Sequence, residues 1–216
     1  MSIELIQEHL SKNEGEISTL VEGSYYFQQM ISYFNGKSLP SSEIEWYVMF
    51  LVRNYQHAAT SGIARQVDND KGSITLIKTL GEIKHESSSF VYSNFLDLFL
   101  NKAHTQLEKD VYTQMAERAW SHFTDGDQRA ISKEKIQADM DDLRAKTRRI
   151  KDYRHNVVGH TTASDFLVEA ENSDQIECAT LLEQLVLKYH LLVNGSSLVT
   201  LLPSNIRVDL KTIFKI

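Results

Sequence analysis

Cysteine, proline, glycine and long apolar runs are all scarce in this chain of 216 residues. The single cysteine, Cys178, excludes an intrachain disulfide and a zinc knuckle built on cysteine pairs. Two prolines (Pro40 and Pro203) and nine glycines are too few for a many-stranded sandwich, which needs turn residues roughly every ten positions. No run approaches the roughly 18 consecutive apolar residues of a membrane span. The first residues, Met1 to Glu16, are polar and acidic, unlike a secretory signal. These absences predict a cytoplasmic protein with no membrane segment. Also missing are a repeat of fixed period, a low-complexity tract, a glycine-rich phosphate loop and a Gly-x-Ser-x-Gly elbow.

What is present is an ordinary apolar share, 42%, which argues for a packed core rather than disorder. At roughly 150 residues per domain, the length predicts one domain over 1–216. Its core is expected over about 15–195, with a C-terminal appendage at 196–216. Apolar residues recur at helical spacing from Glu16 to Phe34 and again from Ser41 or Ser42. The second stretch carries Trp46, Tyr47, Met49 and Phe50 and reads as a central helix with neighbours on several sides. A short helix follows from Ile74 to Ile83, capped by Ser73, then a long helical region from Ser88 to Phe123. Ser132 caps the next helix. Its stripe of Ile136, Met140, Leu143, Thr147, Ile150, Arg154 and Val157 alternates steps of four and three. The last helix runs from Ser173 to Val193, with Gly195 at its C-cap. The fold class is all-α, a bundle of five to seven helices.

The chemistry concentrates in Leu143 to His160. From Leu143 to Arg154 six basic residues stand against one acid, a net of +5, so the remainder of the chain carries −11. Such a reversal of sign suits a phosphate-binding surface, and it equally suits a solvated basic helix end. Arg154 differs from Arg148, Arg149 and Lys151 because it occupies the apolar stripe, where a guanidinium must be paired or face a cleft. His160 lies three residues past Val157, near the edge of the same stripe. An arginine and a histidine at one cleft suit RNA cleavage by the ribose 2′-hydroxyl: the imidazole moves the proton and the guanidinium holds the phosphate. No metal or other cofactor is required by that chemistry.

The segment Arg154-His155-Asn156-Val157-Val158-Gly159-His160 resembles the HEPN motif, an arginine and a polar residue followed a few positions later by a histidine. The order of elements is similar to the abortive-infection U-type branch, with Ile63 to Asp68 matching its early Arg–Asp stretch and Ser73 to Leu80 its short helix. The resemblance covers about residues 15–195. It implies a HEPN-like helical bundle and a metal-independent endoribonuclease of phage defence, in an abortive-infection or toxin–antitoxin system. It also implies a homodimer whose two motifs face each other, and an antitoxin or other defence-system partner protein. Arg154 and His160 carry over as catalytic. His155 and Asn156 carry over as residues that orient the phosphate or pair the arginine, and Arg148, Arg149 and Lys151 of the basic run are expected as further RNA contacts. The spacing also admits Arg148 or Arg149 with His155. The other reading is a non-catalytic HEPN-like dimerisation or protein-interaction module, which the acidic remainder of the chain favours.

Other features have plainer readings. His57 is expected to be a hydrogen-bonded core residue, and Tyr25, Tyr26, Trp46 and Tyr47 are expected in the core. Arg65 and Asp68, three apart, predict a structural ion pair. Asp139, Asp141 and Asp142 read as a solvated helix face, and Cys178 as a buried small hydrophobe.

Overall fold

The computed structural model describes residues 2–35, 42–126, 129–155 and 172–203. These residues form seven α-helices: α1 (Ile3–Phe34), α2 (Ser42–Gln66), α3 (Leu76–His85), α4 (Tyr92–Leu100), α5 (Gln106–Trp120), α6 (Lys133–Tyr153) and α7 (Asn172–Asn194). A 3₁₀ turn at Ser87–Ser89 and an isolated antiparallel bridge between Val91 and Ala130 join them. The described residues contain no β-strand, so the protein is all-α.

Helix α1 starts well before the expected Glu16. The Ser2 hydroxyl caps it by accepting from the Leu5 amide, and Ile6, Leu10, Ile17, Val21, Phe27 and Met30 form one buried stripe. The polar neighbours of Ile6 and Leu10 hide that stripe from a reading by composition. Helix α7 runs antiparallel along α1: Gln7 bonds the Val193 carbonyl near one end, and Glu14 meets His190 at 2.5 Å a little further along. Helix α6 packs antiparallel on α7 in turn. The Tyr189 hydroxyl and Lys188 both bond Asp139, each at 2.6 Å, and the Cys178 thiol lies on the Lys146 carbonyl further along. Asp139 is therefore a buried-side anchor, whereas Asp141 and Asp142 pair with Arg144 and Lys146 on the outer face.

The expected helix from Ser88 to Phe123 is two helices. Asn101 to His104 leave the helical path, and Thr105 begins α5 with a full capping box: its hydroxyl accepts from the Glu108 amide and the Glu108 carboxylate accepts from the Thr105 amide. Phe95, Phe99, Trp120 and Phe123 fill the space beneath α4 and α5 with edge and tilted ring contacts, and reach Tyr189 of α7. Helix α3 is capped by Thr75, two residues beyond the expected Ser73. The sequence places Ser132 correctly: its hydroxyl accepts from the Lys135 amide and starts α6. Gly195 ends α7 at φ +59, where an added β-carbon would collide with Leu98. Ile136, Met140, Leu143, Thr147 and Ile150 are buried along α6, as their spacing predicts.

Helix α2 departs from the expectation of a central helix. Its C-terminal half packs on α1 and α7 through Ala59, Thr60, Ile63 and Ala64. Its N-terminal half exposes Trp46 (67%), Tyr47, Met49 and Phe50 (47%), and His57 is exposed rather than in the core. The reason is phase. Val48 and Tyr55 face α1, which leaves Trp46, Met49, Phe50 and Arg53 on the opposite side. Tyr26 is exposed as well, and Tyr25 is half-buried.

Candidate functional site

Arg154 follows Ile150, fully buried, by one helical turn and keeps the phase of the stripe. Helix α6 closes here: the Arg154 amide bonds back to the carbonyls of Ile150 and Lys151, and residues 154–155 take the wider π-type turn. Such turns occur often where a side chain is re-aimed at a functional site. The Arg154 guanidinium donates from Nη1 to Asp68 Oδ2 at 2.8 Å. Lys151, on the same face, brings Nζ within 3.5 Å of Asp68 Oδ1. Asp68 is 14% exposed and so holds two cations of α6 from the loop that follows α2.

The expected Arg65–Asp68 pair does not form. Arg65 reaches Glu16 of α1 at 3.2 Å instead. Arg65 belongs to the last turn of α2 and points at α1, whereas Asp68 lies beyond the helix end and has swung toward α6. Gln66, fully buried, fixes this junction: its amide nitrogen donates to Glu16 at 2.7 Å and its carbonyl accepts from the Leu76 amide at 3.1 Å. One glutamine thus joins α1, α2 and the start of α3.

A cleft of about 680 Å³ opens between α1 and α2 at this junction, with Glu16, Leu20, Tyr55, Arg65, Asp68 and Arg154 among its lining. That volume suits a ligand rather than a few waters. Small residues make it: Gly15, Thr19 and Gly23 follow one another at steps of four on α1, and Ala58 and Gly62 do so on α2. Gly62 lies against Leu20, where a larger residue would collide. The cleft was missed in the sequence, although the four-residue spacing of small residues on both helices was there to find it. The far wall is aromatic, since the Tyr55 ring stacks on Phe27 at 4.1 Å.

The basic run is more neutral than its charge sum. Arg144 pairs with Asp141, Lys146 with Asp142, Arg149 with Asp174 at 3.1 Å, and Lys151 and Arg154 share Asp68. Arg148, 83% exposed, lies 4.0 Å from Asp152. Of the expected site residues, the structure brings Arg154 and Lys151 together on Asp68 and turns Arg148 and Arg149 to other faces. His155 is exposed beside Arg154. Asn156 and His160 lie outside the described residues.

Other titratable groups serve the fold. His9 meets Glu82 at 2.8 Å, and His190 lies between Glu14 and Ser196. Burial raises the Cys178 thiol to about 11, helped by Asp174 and Glu177. Among the described residues no group of three or more histidine, cysteine or acidic side chains is placed to hold a metal ion. No helix among them is long and apolar enough to cross a membrane. No family model matches the chain, and neither does a curated protein or a solved structure.

Proposed function

We propose that this chain is a metal-independent endoribonuclease of the HEPN type, acting in phage defence as an abortive-infection or toxin component. The observation that carries the reading is the position of Arg154. It stands at the end of the α6 stripe, in the wall of the α1–α2 cleft, and its guanidinium is oriented by Asp68. A guanidinium carries donors on more than one edge of its fork, so a carboxylate can orient it while a phosphate in the cleft meets another edge.

The reaction then needs one proton carrier, and the resemblance assigns it to His160. The 2′-oxygen attacks phosphorus, the bond from phosphorus to the 5′-oxygen breaks, and His160 moves the proton from the 2′-hydroxyl toward the leaving oxygen. The products are a 2′,3′-cyclic phosphate and a 5′-hydroxyl. Arg154 stabilises the charge that gathers on the non-bridging oxygens. His155 and Asn156 orient the same phosphate, while Lys151 shares Asp68 with Arg154 and tunes its hold. Exposed Arg148 is the better contact for RNA outside the cleft, since Arg149 is held by Asp174. RNA is the substrate. A second copy of the chain and an antitoxin or other defence-system protein are the expected partners, in the cytoplasm.

The second reading, a non-catalytic interaction module, is favoured by the same ion pair. The bond from Arg154 to Asp68 ties the end of α6 to the end of α2, a sufficient structural reason for an arginine in the stripe. The two readings separate on variants. If the protein is a nuclease, Arg154→Ala and His160→Ala both stop RNA cleavage in EDTA, and His160→Ala leaves the melting temperature of the parent. Parental cleavage rates in both folded variants would exclude catalysis by this motif.

A further inference from the structure

The cleft between α1 and α2 has two unlike ends. One is apolar, around Leu20, Gly23 and Tyr55, with the Tyr55 ring held by its stack on Phe27. The other is polar and holds Gly15, Glu16, Thr19, Arg65, Asp70 and Arg154. The bonds from Glu16 to Arg65 and Gln66, and from Asp68 to Arg154, gather these residues at one level of the bundle.

Three acids stand at the polar end, and two of them are occupied. Glu16 accepts from Gln66 and Arg65, and Asp68 holds Arg154 and Lys151. The Asp70 carboxylate is exposed and has no hydrogen bond or ion pair among the described residues. Its backbone is nevertheless fixed, because the Asp70 carbonyl accepts from the Ser73 amide and hydroxyl and from the Lys78 ammonium. Arg65 uses Nη2 on Glu16, at 3.2 Å, which leaves the other donors of its fork for a ligand. Gly15 supplies the space: a β-carbon added there would meet no atom within 4 Å.

A carboxylate and a guanidinium that line one cleft, each with an open edge, define the base they read. Guanine carries two donors side by side on one edge, N1–H and the N2 amino group, and two acceptors on another, O6 and N7. Adenine has an amino group in place of O6 and no N1–H, and the pyrimidines have no N7. We propose that the polar end of the cleft is a guanine subsite, in which Asp70 accepts from N1–H and the N2 amino group and Arg65 donates to O6 and N7. The subsite deepens the nuclease reading and rests on it, since Arg154 in the same wall then meets the phosphate of that nucleotide. It also fixes the substrate class. In a duplex the N1 and N2 groups of guanine are paired with cytosine, so only an unpaired guanosine of single-stranded RNA fits. Asp70 and Arg65 are the specificity-determining residues, and Gly15 keeps the entrance open.

The test is equilibrium dialysis of the full chain against guanosine, inosine, adenosine and uridine 5′-monophosphates, with Asp70→Asn and Gly15→Leu alongside. Both positions are exposed, so the variants should fold. Gly15→Leu should melt at or above the parent temperature, because glycine is the poorer helix former. The guanosine nucleotide should bind at least about tenfold tighter than the adenosine or uridine nucleotide, and the inosine nucleotide, without the N2 amino group, about tenfold weaker than the guanosine one. Asp70→Asn should remove the preference for guanine, a loss of about ten- to a hundredfold, and Gly15→Leu should abolish binding of all four. Mapping of cut sites on single-stranded RNA separates this proposal from the reading beneath it. Cuts beside guanosine in the parent, spread over all bases in Asp70→Asn, support both. Selective binding of the guanosine nucleotide without any cleavage upholds the subsite and removes the nuclease. Cleavage with no base preference, equal binding of the four nucleotides, or binding unchanged in Asp70→Asn or Gly15→Leu would overturn the subsite and leave the nuclease reading intact.

Discussion

Replacing Asp68 by asparagine is the sharpest perturbation of the α6–α2 junction. The change keeps the shape and removes the charge that holds Arg154 at 2.8 Å and Lys151 at 3.5 Å. An exposed ion pair contributes up to about 1 kcal/mol. Breaking a buried one costs about 3–5 kcal/mol. Here the acid is 14% exposed, but the two cations are 36% and 44% exposed, so solvent screens the pair and places it between these limits. We expect Asp68→Asn to cost about 1–2 kcal/mol. For a chain of this size that lowers the melting temperature by about 2–8 °C. Urea titration of the parent, Asp68→Asn, Arg154→Met and the double variant isolates the pair. The coupling energy should exceed about 0.5 kcal/mol and shrink at high salt. Additive costs, within about 0.3 kcal/mol, would refute the idea that Asp68 orients Arg154.

Three further predictions concern the rest of the bundle. Burial and the Asp139 carboxylate push the Tyr189 hydroxyl well above its usual 10.0. The folded chain therefore keeps a proton that the unfolded chain loses, so stability falls as pH rises past about 10. Tyr189→Phe should flatten that alkaline limb in urea titrations, and an equally steep limb would contradict the assignment. Cys178, with its thiol raised to about 11, should resist alkylation at pH 8 in the folded chain and react promptly in denaturant; fast labelling of native protein would show the site to be open. Gly195→Ala forces a side chain into a position with φ +59 and against Leu98, and should cost about 1–3 kcal/mol by denaturation midpoint. A neutral substitution would mean that the end of α7 adjusts freely.

Much of the bundle was legible because periodicity reports burial. The α6 stripe from Ile136 to Ile150, the Ser132 cap and Gly195 at the end of α7 all follow from local rules of spacing and capping. The errors have physical causes too. The start of α1 was hidden because Ile6 and Leu10 are embedded in a polar segment, and burial there depends on α7, a partner far away in sequence. The break between α4 and α5 has a local signal, the Thr105–Glu108 capping box, that high apolar content on both sides masked. Helix α2 misled in the other direction: apolar content predicts burial only if neighbours exist, and Trp46, Tyr47, Met49 and Phe50 in its N-terminal half are exposed.

The site was legible in part. Stripe phase singled out Arg154 from five other basic residues, and the structure places it in a cleft wall. Its partner was not readable from sequence. Local spacing favoured Arg65 with Asp68, but the chain turns after Gln66 and carries Asp68 to α6, while Arg65 stays with Glu16. The +5 run likewise lost its meaning as a surface once acids from Asp68, Asp141, Asp142 and Asp174 were placed beside it. Charge sums along a sequence ignore the partners that folding supplies.

The central claim, transesterification of RNA by Arg154 and His160, is tested most directly by the chemistry of the product ends. Parent protein in EDTA is given an RNA of defined sequence, alongside the same RNA with a 2′-deoxyribose at the cleaved position. The account predicts 2′,3′-cyclic phosphate and 5′-hydroxyl ends from the first and no cut at that position in the second. Absence of cleavage, 5′-phosphate ends, or equal cutting of the deoxy-substituted strand would contradict it.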